Sequence, residues 1–386
     1  MLTTTLEIAF WMGLIVGLYP YAGYPVCVAA LAALRARPVQ AATATPKITV
    51  VISAYNEAAH IEATVRNKLQ QDYPPELLDV IVVSDGSTDG TDAILTRLGT
   101  EFSRLSFIRQ EPRSGKTAAL NTLAQRATGE IIVFSDANSM YRPDTVRRLV
   151  ANFSDPTVGY VSGRMLYVDP SGSTVGDGCT AYMKYENALR SFESRIGSIV
   201  GVDGGVDAVR RNLYKPMRAD QLPDFVLPLN VVEQGYRVVF APDAILEEEA
   251  LNTHDAEYRM RIRVALRAFW TLWDKRGLLN PLRYPLFSWQ LASHKLLRYL
   301  SFVPLLAAAI LNWLLLDQGG LYIAMALGQL VCLALVLVAT RGPRALRELR
   351  LARYCYYFVL LNWTSAVALS RFLKGQKQVL WQPRTG

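Results

Sequence analysis

Apolar positions along the chain fall into three regimes. Between Leu6 and Leu34 no charge follows Glu7. This run exceeds the ~20 apolar residues a helix needs to cross a bilayer. It predicts a membrane-spanning helix within residues 1–37, kinked at Pro20 and Pro25. A cleaved secretory leader is the alternative. The run is longer than the ~7–15 residues of such a leader, and no basic residue precedes it. From Lys47 the pattern changes to short apolar runs separated by amphipathic stretches. Ile48–Ser53, Leu78–Val83, Leu105–Arg109 and Glu130–Ser135 read as strands; Glu57–Gln71, Thr91–Leu98 and Thr117–Ala127 read as helices. Such alternation predicts βαβ units, hence an α/β fold with a mostly parallel sheet. Ligands of such sheets bind beyond the carboxyl ends of the strands.

After Arg298 the chain turns apolar again. Tyr299–Leu316 and Leu321–Thr340 are candidate spans, and Tyr354–Ser370 is a shorter, more polar one. Pro285–Leu300 mixes Trp289, Leu291, Leu296 and Leu297 with His294, Lys295 and Arg298. It reads as an amphipathic helix at a membrane interface, with burial against the α/β domain as the alternative. The expected division is an N-terminal span (1–37), an α/β domain (38–256), basic amphipathic interfacial helices (257–298) and a C-terminal membrane region with its tail (299–386). Arg35 and Arg37, and the five arginines between Arg341 and Arg353, place the intervening domain in the cytoplasm by the positive-inside rule. Four full spans would leave the basic tail from Arg371 to Lys377 outside. The charge rule therefore favours a re-entrant or interfacial last segment.

Composition sharpens this picture. Charged residues make up 19% of the 386, below the roughly 25% of soluble domains, and 51% are apolar. A disordered chain is excluded. A polytopic transporter is excluded by the long charged middle. The net charge of +8 is concentrated. Between Glu257 and Arg298 there are nine Lys/Arg and two acids, beside an apolar region. That placement fits an anionic lipid surface, not nucleic acid. Four cysteines without CxxC spacing and three distant histidines argue against a zinc site or a disulfide framework.

The candidate chemistry lies where strands end. Ala54-Tyr-Asn-Glu57 follows the first strand, Ser84-Asp-Gly-Ser-Thr-Asp-Gly90 the second and Ser135-Asp-Ala-Asn138 the fourth. Each alone is an ordinary turn sequence. Together they bring acids to one edge of one sheet. Ser114-Gly-Lys-Thr117 looks like the end of a P-loop, but Gln110 stands where that motif needs glycine, and no GxGxxG follows the first strand. Asp136 and Asn138 are hard oxygen donors suited to Mg²⁺ or Mn²⁺ bridging a diphosphate. Lys116 would add positive charge nearby, unless it is a solvated surface lysine.

These residues, with Gly204-Gly205, Pro223-Asp224-Phe225 and Gly235-Tyr-Arg-Val-Val-Phe-Ala-Pro242, resemble glycosyltransferase family 2 over roughly residues 47–270. The flanking apolar segments resemble its membrane-bound branch, at the inner membrane. The resemblance implies a GT-A fold, a nucleotide-sugar donor and inversion at the anomeric carbon. It implies that Ala54, Glu57, Asp85, Lys116, Asp136 and Arg263 bind the donor, typically a UDP-sugar. It further implies that Asp136 and Asn138 hold the metal, that Gly204 and Gly205 approach the acceptor, and that Asp224 is the general base. For Asp224 a helix N-cap is the structural alternative, and for Gly204-Gly205 a simple turn. Asp203 and Asp207 receive no role.

Departures from the family pattern set the expected activity. The Q-x-x-R-W motif of processive polysaccharide synthases is reduced to Met260-Arg-Ile-Arg263-Val264, and Pro223 replaces the usual acid before the base. The expectation is therefore a single transfer of a hexose or N-acetylhexosamine from a UDP-sugar. The acceptor would be lipid-linked or a membrane-associated saccharide. A processive synthase and a non-catalytic nucleotide-sugar-binding subunit are the alternatives, and oligomers are compatible with all three. Arg259, Arg261, Arg263 and Arg267 could instead form one basic face on lipid headgroups. Trp381 would cover the active site or anchor at the interface.

Overall fold

The computed structural model describes residues 1–168, 174–249, 254–347 and 349–378. Trp381 lies outside them. The strands are β1 (Ile48–Ala54), β2 (Leu78–Ser84), β3 (Leu105–Arg109), β4 (Ile131–Asp136), β5 (Met140–Tyr141), β6 (Val158–Val168), β7 (Asp207–Arg210) and β8 (Arg237–Glu249). They form one sheet in the order β3-β2-β1-β4-β7-β6-β8-β5. The first four pair in parallel, with β1 central between β2 and β4. The other half is mixed: β7 runs antiparallel to β4 and β6, β8 parallel to β6, and β5 antiparallel to β8. The parallel half agrees with the sequence reading.

β1 is a continuous apolar run because both of its faces are covered. Ile48, Val50, Ile52 and Ala54 face one core. Helices α3 (Ile61–Leu69) and α4 (Thr91–Glu101) pack on that side through Ile61, Val65, Leu95 and Leu98. Val51 faces the other core, covered by α5 (Lys116–Arg126) through Ala119, Leu120 and Leu123. Thr49, a polar residue early in β1, is buried and occupied: its Oγ1 accepts from the N–H groups of Thr128 and Gly129, at 3.2 and 2.9 Å. Gly129 has no room for a side chain. A Cβ there would lie 2.5 Å from the Ile48 carbonyl carbon. Helix α3 is shorter than the pattern suggested, since Glu57–His60 is spent on a turn that begins at Asn56 with φ 55°.

Two further helices follow, α6 (Thr145–Ala151) and α7 (Thr174–Ile196); α8 (Pro223–Glu233) and α9 (His254–Asp274) come after the loop 201–205 and β8 respectively. The N-terminal apolar run is not one helix. It forms α1 (Leu2–Leu18) and α2 (Gly23–Leu34), bent by 54° at the break before Pro25. Proline is tolerated in the first turn of α2, where its missing N–H costs nothing. Helix α2 docks on α7. Tyr24, Val28 and Ala32 pack with Leu189 and Ile196, and the buried Tyr24 hydroxyl donates to Glu193 Oε1 at 2.5 Å.

The region after Asp274 is built from α10 (Pro285–Leu291), a five-residue π turn (Ala292–Leu296), α11 (Leu297–Leu300), α12 (Phe302–Leu314), α13 (Gly320–Arg341), α14 (Arg344–Arg347) and α15 (Arg350–Leu373). Phe287, Gln290, Leu291 and His294 are buried, so Pro285–Leu300 packs against the α/β core, as the alternative reading had it. Among the described residues only α13 is long and apolar enough to cross a membrane by itself; α1 with α2, and α10–α11 with α12, would each do so as one bent span. Helix α15 packs along α9, with Ala368 against Ala265, Leu266 and Phe269.

Candidate active site

The turns after β1 and β2 are knitted together. Asn56 N–H donates to Ser87 Oγ (3.1 Å), Thr88 N–H to Asn56 Oδ1 (2.8 Å), and Glu57 N–H to Thr91 Oγ1 (2.9 Å). Ala54 is buried in the core, and its carbonyl accepts the Asp85 N–H at 2.8 Å. Asp85 is also fully buried. Its Oδ1 accepts from Gln110 Nε2 and Ser114 N–H, and its Oδ2 from Gly115 N–H, all at 2.8 Å. A carboxylate offers about four lone-pair sites, so roughly one is left for a ligand. Asp85 thereby fixes Gly115, which enters α5 at φ 92° and sets where Lys116 points. On the outer wall Arg113 stacks on Tyr55, 3.5 Å from the ring centroid.

From the start of α5, Lys116 reaches across to the end of β4 and pairs with Asp136 Oδ1 at 2.5 Å. Both line a small pocket with Leu120, Tyr160, Asp207, Pro223 and Asp224. Asp224 sits at the second position of α8, whose N-cap is Leu222, and makes no cap hydrogen bond. The N-cap alternative therefore fails. Its carboxylate faces the loop Gly204-Gly205 instead. A Cβ on Gly204 would lie 2.6 Å from Asp224 Oδ2, and one on Gly205, at φ 88°, would lie 3.3 Å from Asp136 Oδ2. Only glycine lets the backbone pass between the two acids.

The charges are tuned by this crowding. Burial raises the Asp224 carboxyl above its ordinary range; Lys116 pulls it back, and Asp136 adds to the rise. For Lys116, burial works against the charge. Asp136 and then Asp224 outweigh it and hold the ammonium above the usual lysine value. Asp207, on the first residue of β7 and only 3% exposed, is pushed well above the carboxylate range by burial and then by Asp224. The Tyr160 hydroxyl donates to it. Sequence reading gave Asp207 no role. An acid opening a short strand carries no local signal, and its burial beside Asp224 comes from long-range pairing with β4.

The four arginines of α9 do not share a face. Arg261 pairs with Glu257 at 2.8 Å. Arg267 is buried and donates to Gln221 O and Thr117 Oγ1, holding the loop that leads to Asp224. Arg263 is half-buried, is acted on by Asp224 and Asp136, and makes no hydrogen bond or ion pair among the described residues. Asn138 is half-buried two residues beyond Asp136. No group of three His, Cys, Asp or Glu suited to a metal occurs among the described residues. Asp136 and Asn138 offer one carboxylate and one amide. This set fits a divalent ion that keeps waters and substrate oxygens in its shell, and the Lys116 pair shows that the carboxylate is presented to a cation.

A mostly parallel sheet with acids converging at its carboxyl edge is the arrangement of a nucleotide-sugar transferase of GT-A type. Family comparison agrees. The "Glycosyl transferase family group 2" profile matches residues 131–342 and the "Glycosyl transferase family 2" profile residues 49–204. The chain belongs to glycosyltransferase family 2. The beta-monoglucosyldiacylglycerol synthase of Synechocystis is 30% identical over 226 residues, covering 57% of this chain and 47% of that protein. Glycosyltransferase AglE of Haloferax volcanii is 26% identical over 200 residues, covering 52% of this chain and 66% of that one. The matches thus span about half to two thirds of these relatives. The solved mannosyltransferase PcManGT from Pyrobaculum calidifontis, in complex with GDP-Man and Mn²⁺, is 25% identical with a TM-score of 0.72. The likeness covers 95% of this chain and 99% of that one. The GT-A expectation and the assignment as a glycosyltransferase are thereby borne out.

Proposed function

We propose that this chain is a membrane-anchored inverting glycosyltransferase. It moves one hexose or N-acetylhexosamine from a UDP-sugar to a lipid-linked or membrane-associated acceptor at the cytoplasmic face of the inner membrane. The convergence of Lys116, Asp136, Asp224 and Gly204-Gly205 on one pocket carries this reading. The acceptor hydroxyl attacks the anomeric carbon, and Asp224 takes its proton as the bond forms. The bond from that carbon to the nucleoside diphosphate breaks on the opposite face, which inverts the configuration. Lys116 and Arg263 would meet the charge left on the diphosphate. A Mg²⁺ or Mn²⁺ held by Asp136 and Asn138 would supply further charge neutralisation. Tyr55, Arg113, Glu57 and Asp85 belong to the nucleoside side. Apolar α13 and the bent helix pairs support the membrane location, as does the lipid product in the name of the Synechocystis relative.

A second reading changes only the donor. The full-length likeness to a mannosyltransferase holding GDP-Man favours a GDP-sugar. Nucleotide release from purified protein separates the two: UDP-glucose, UDP-GlcNAc, UDP-galactose and GDP-mannose, each with Mn²⁺, Mg²⁺ or EDTA, beside Asp224→Asn. Release of one nucleotide, lost with EDTA and reduced roughly 10²–10⁴-fold in the variant, is expected. Full activity of Asp224→Asn would remove Asp224 from the base role.

A further inference from the structure

The loop from Gly201 to Gly205 touches four charged side chains in succession. Gly205 packs on Asp136 and Gly204 on Asp224. Asp203 is held in a buried pair by Arg190, whose Nη2 lies 2.7 Å from Oδ1. At the far end, a Cβ on Gly201 would lie 2.5 Å from Lys295 Nζ. Lys295 belongs to the π turn Ala292–Leu296, in the segment that runs on into apolar α12. Such turns re-aim side chains and recur at functional sites. This one sends the Lys295 ammonium over Phe225, the neighbour of Asp224, 5.9 Å from the ring centroid.

The charges around Lys295 are Glu186, Glu193, Arg190 and Arg298. Every one of them has a partner. Glu186 is bound by Arg298 and by His294 Nε2 at 3.1 Å. Glu193 is bound by Tyr24, by His294 Nδ1 at 2.8 Å and by Val200 N–H at 3.1 Å. Arg190 is spent on Asp203. Lys295 alone of this group makes no hydrogen bond or ion pair among the described residues. A half-buried ammonium left without an acceptor is unfavourable, and an anion brought beside it relieves that cost.

We propose that Lys295 is an acceptor-binding residue: it receives a phosphate group carried by a membrane acceptor, on the far side of Asp224 from the donor diphosphate. The site stands between the apolar helices and the ring next to the base. A phosphate held there leaves the acceptor's hydroxyl near the Asp224 carboxylate, with its lipid chain toward α12. This rests on the reading of the protein as a transferase to membrane acceptors. The phosphate could belong to a phospholipid headgroup or to a polyprenyl phosphate carrying a saccharide.

The test uses the full chain in neutral detergent micelles with its donor. The acceptors are phosphatidylglycerol, which carries free hydroxyls beside its phosphate, a polyprenyl-phosphate-linked saccharide and uncharged diacylglycerol. Wild type, Lys295→Gln and Lys295→Arg are compared by kcat/KM for labelled lipid. The ratio of phosphate-bearing to uncharged acceptor should fall roughly 10- to 100-fold in Lys295→Gln and recover largely in Lys295→Arg. Whichever phosphate lipid shows the larger fall identifies the source. An unchanged ratio, or an equal loss on diacylglycerol, overturns the assignment. If wild type labels no lipid but still releases nucleotide, the membrane-acceptor reading fails. Calorimetric binding of short-chain phosphatidylglycerol then decides on Lys295 by itself. Equal affinity in wild type and Lys295→Gln overturns the site, and a loss of the same order upholds it. Gly201→Ala, which displaces the ammonium from its seat, should reproduce the fall in the ratio.

Discussion

Gly204→Ala tests whether the position of the Asp224 carboxylate sets the rate. The added methyl would stand 2.6 Å from Asp224 Oδ2 and Cγ, whereas ordinary contact begins at 3.4 Å. One of the two must retreat by about 0.8 Å. The atoms met belong to a side chain at the mouth of a pocket, so the carboxylate moves and the backbone keeps its path. Displacing a reacting group by about 1 Å costs on the order of 10²-fold in rate, or about 2.7 kcal/mol of barrier. The expected result is a kcat about 100-fold lower, with KM for the donor and the melting temperature near wild type. The assay is steady-state nucleotide release with acceptor saturating, beside thermal unfolding and donor titration. A kcat within threefold of wild type in a folded variant would refute the reasoning. So would a loss confined to donor KM, which would move Gly204 to the donor side.

Other consequences are equally open to measurement. Asp224 acts as base only when ionised, and its carboxyl is raised above the ordinary range, chiefly by burial. Activity therefore climbs with pH through that raised value. Lys116→Met removes the cation that pulls it down, so the acid limb of kcat/KM should move to higher pH. Arg263→Ala should raise KM for the donor roughly 10- to 100-fold through a lost charged hydrogen bond, with unchanged thermal stability. Asp207 is held well above the ordinary carboxylate range, so the fold favours its neutral form. The cost of ionising it appears as pH rises past about 4 and grows toward its folded value. Asp207→Asn lacks that cost. It should melt higher than wild type at pH 7–8, and the difference should vanish near about pH 4. Asn138→Asp adds a carboxylate to the metal pair and should lower the Mn²⁺ concentration giving half-maximal activity.

How much of this was legible in the sequence follows from where each signal originates. Strands β1, β2 and β4 could be read because each is covered on both faces and its apolar run is local, whereas the edge strand β3, buried only at Leu105, could be read from its short Leu-Ser-Phe-Ile run. The acids at their ends could be placed for the same reason. The antiparallel half could not, since β7 joins β4 only through pairings such as Ile132 with Val209, far apart in sequence. The segment Gly23–Leu34 reads as membrane-spanning because nine of its twelve residues are Val, Leu, Ala or Cys. Nothing local reveals that Tyr24 meets Glu193. His294 and Lys295 looked interfacial, whereas His294 is buried between Glu186 and Glu193, about a hundred residues earlier. Along α9, four arginines within nine residues suggested one basic face. Their partners, Glu257 and Tyr357 for one and the Gln221 carbonyl for another, divide them between the contact of α9 with α15 and the loop leading to Asp224.

The hydrogen-bonded knot of Tyr24, Glu193 and His294 has a mechanical meaning. It joins the N-terminal helices, the long helix behind the sheet and the segment entering α12 at one dry point. On the membrane-bound reading, the catalytic half cannot swing like a weight on a tether. It stands at a fixed height, as a drill stands over a bench. Such an enzyme measures its substrate by stature: a hydroxyl closer to or farther from the bilayer than Asp224 goes unglycosylated, whatever its chemistry.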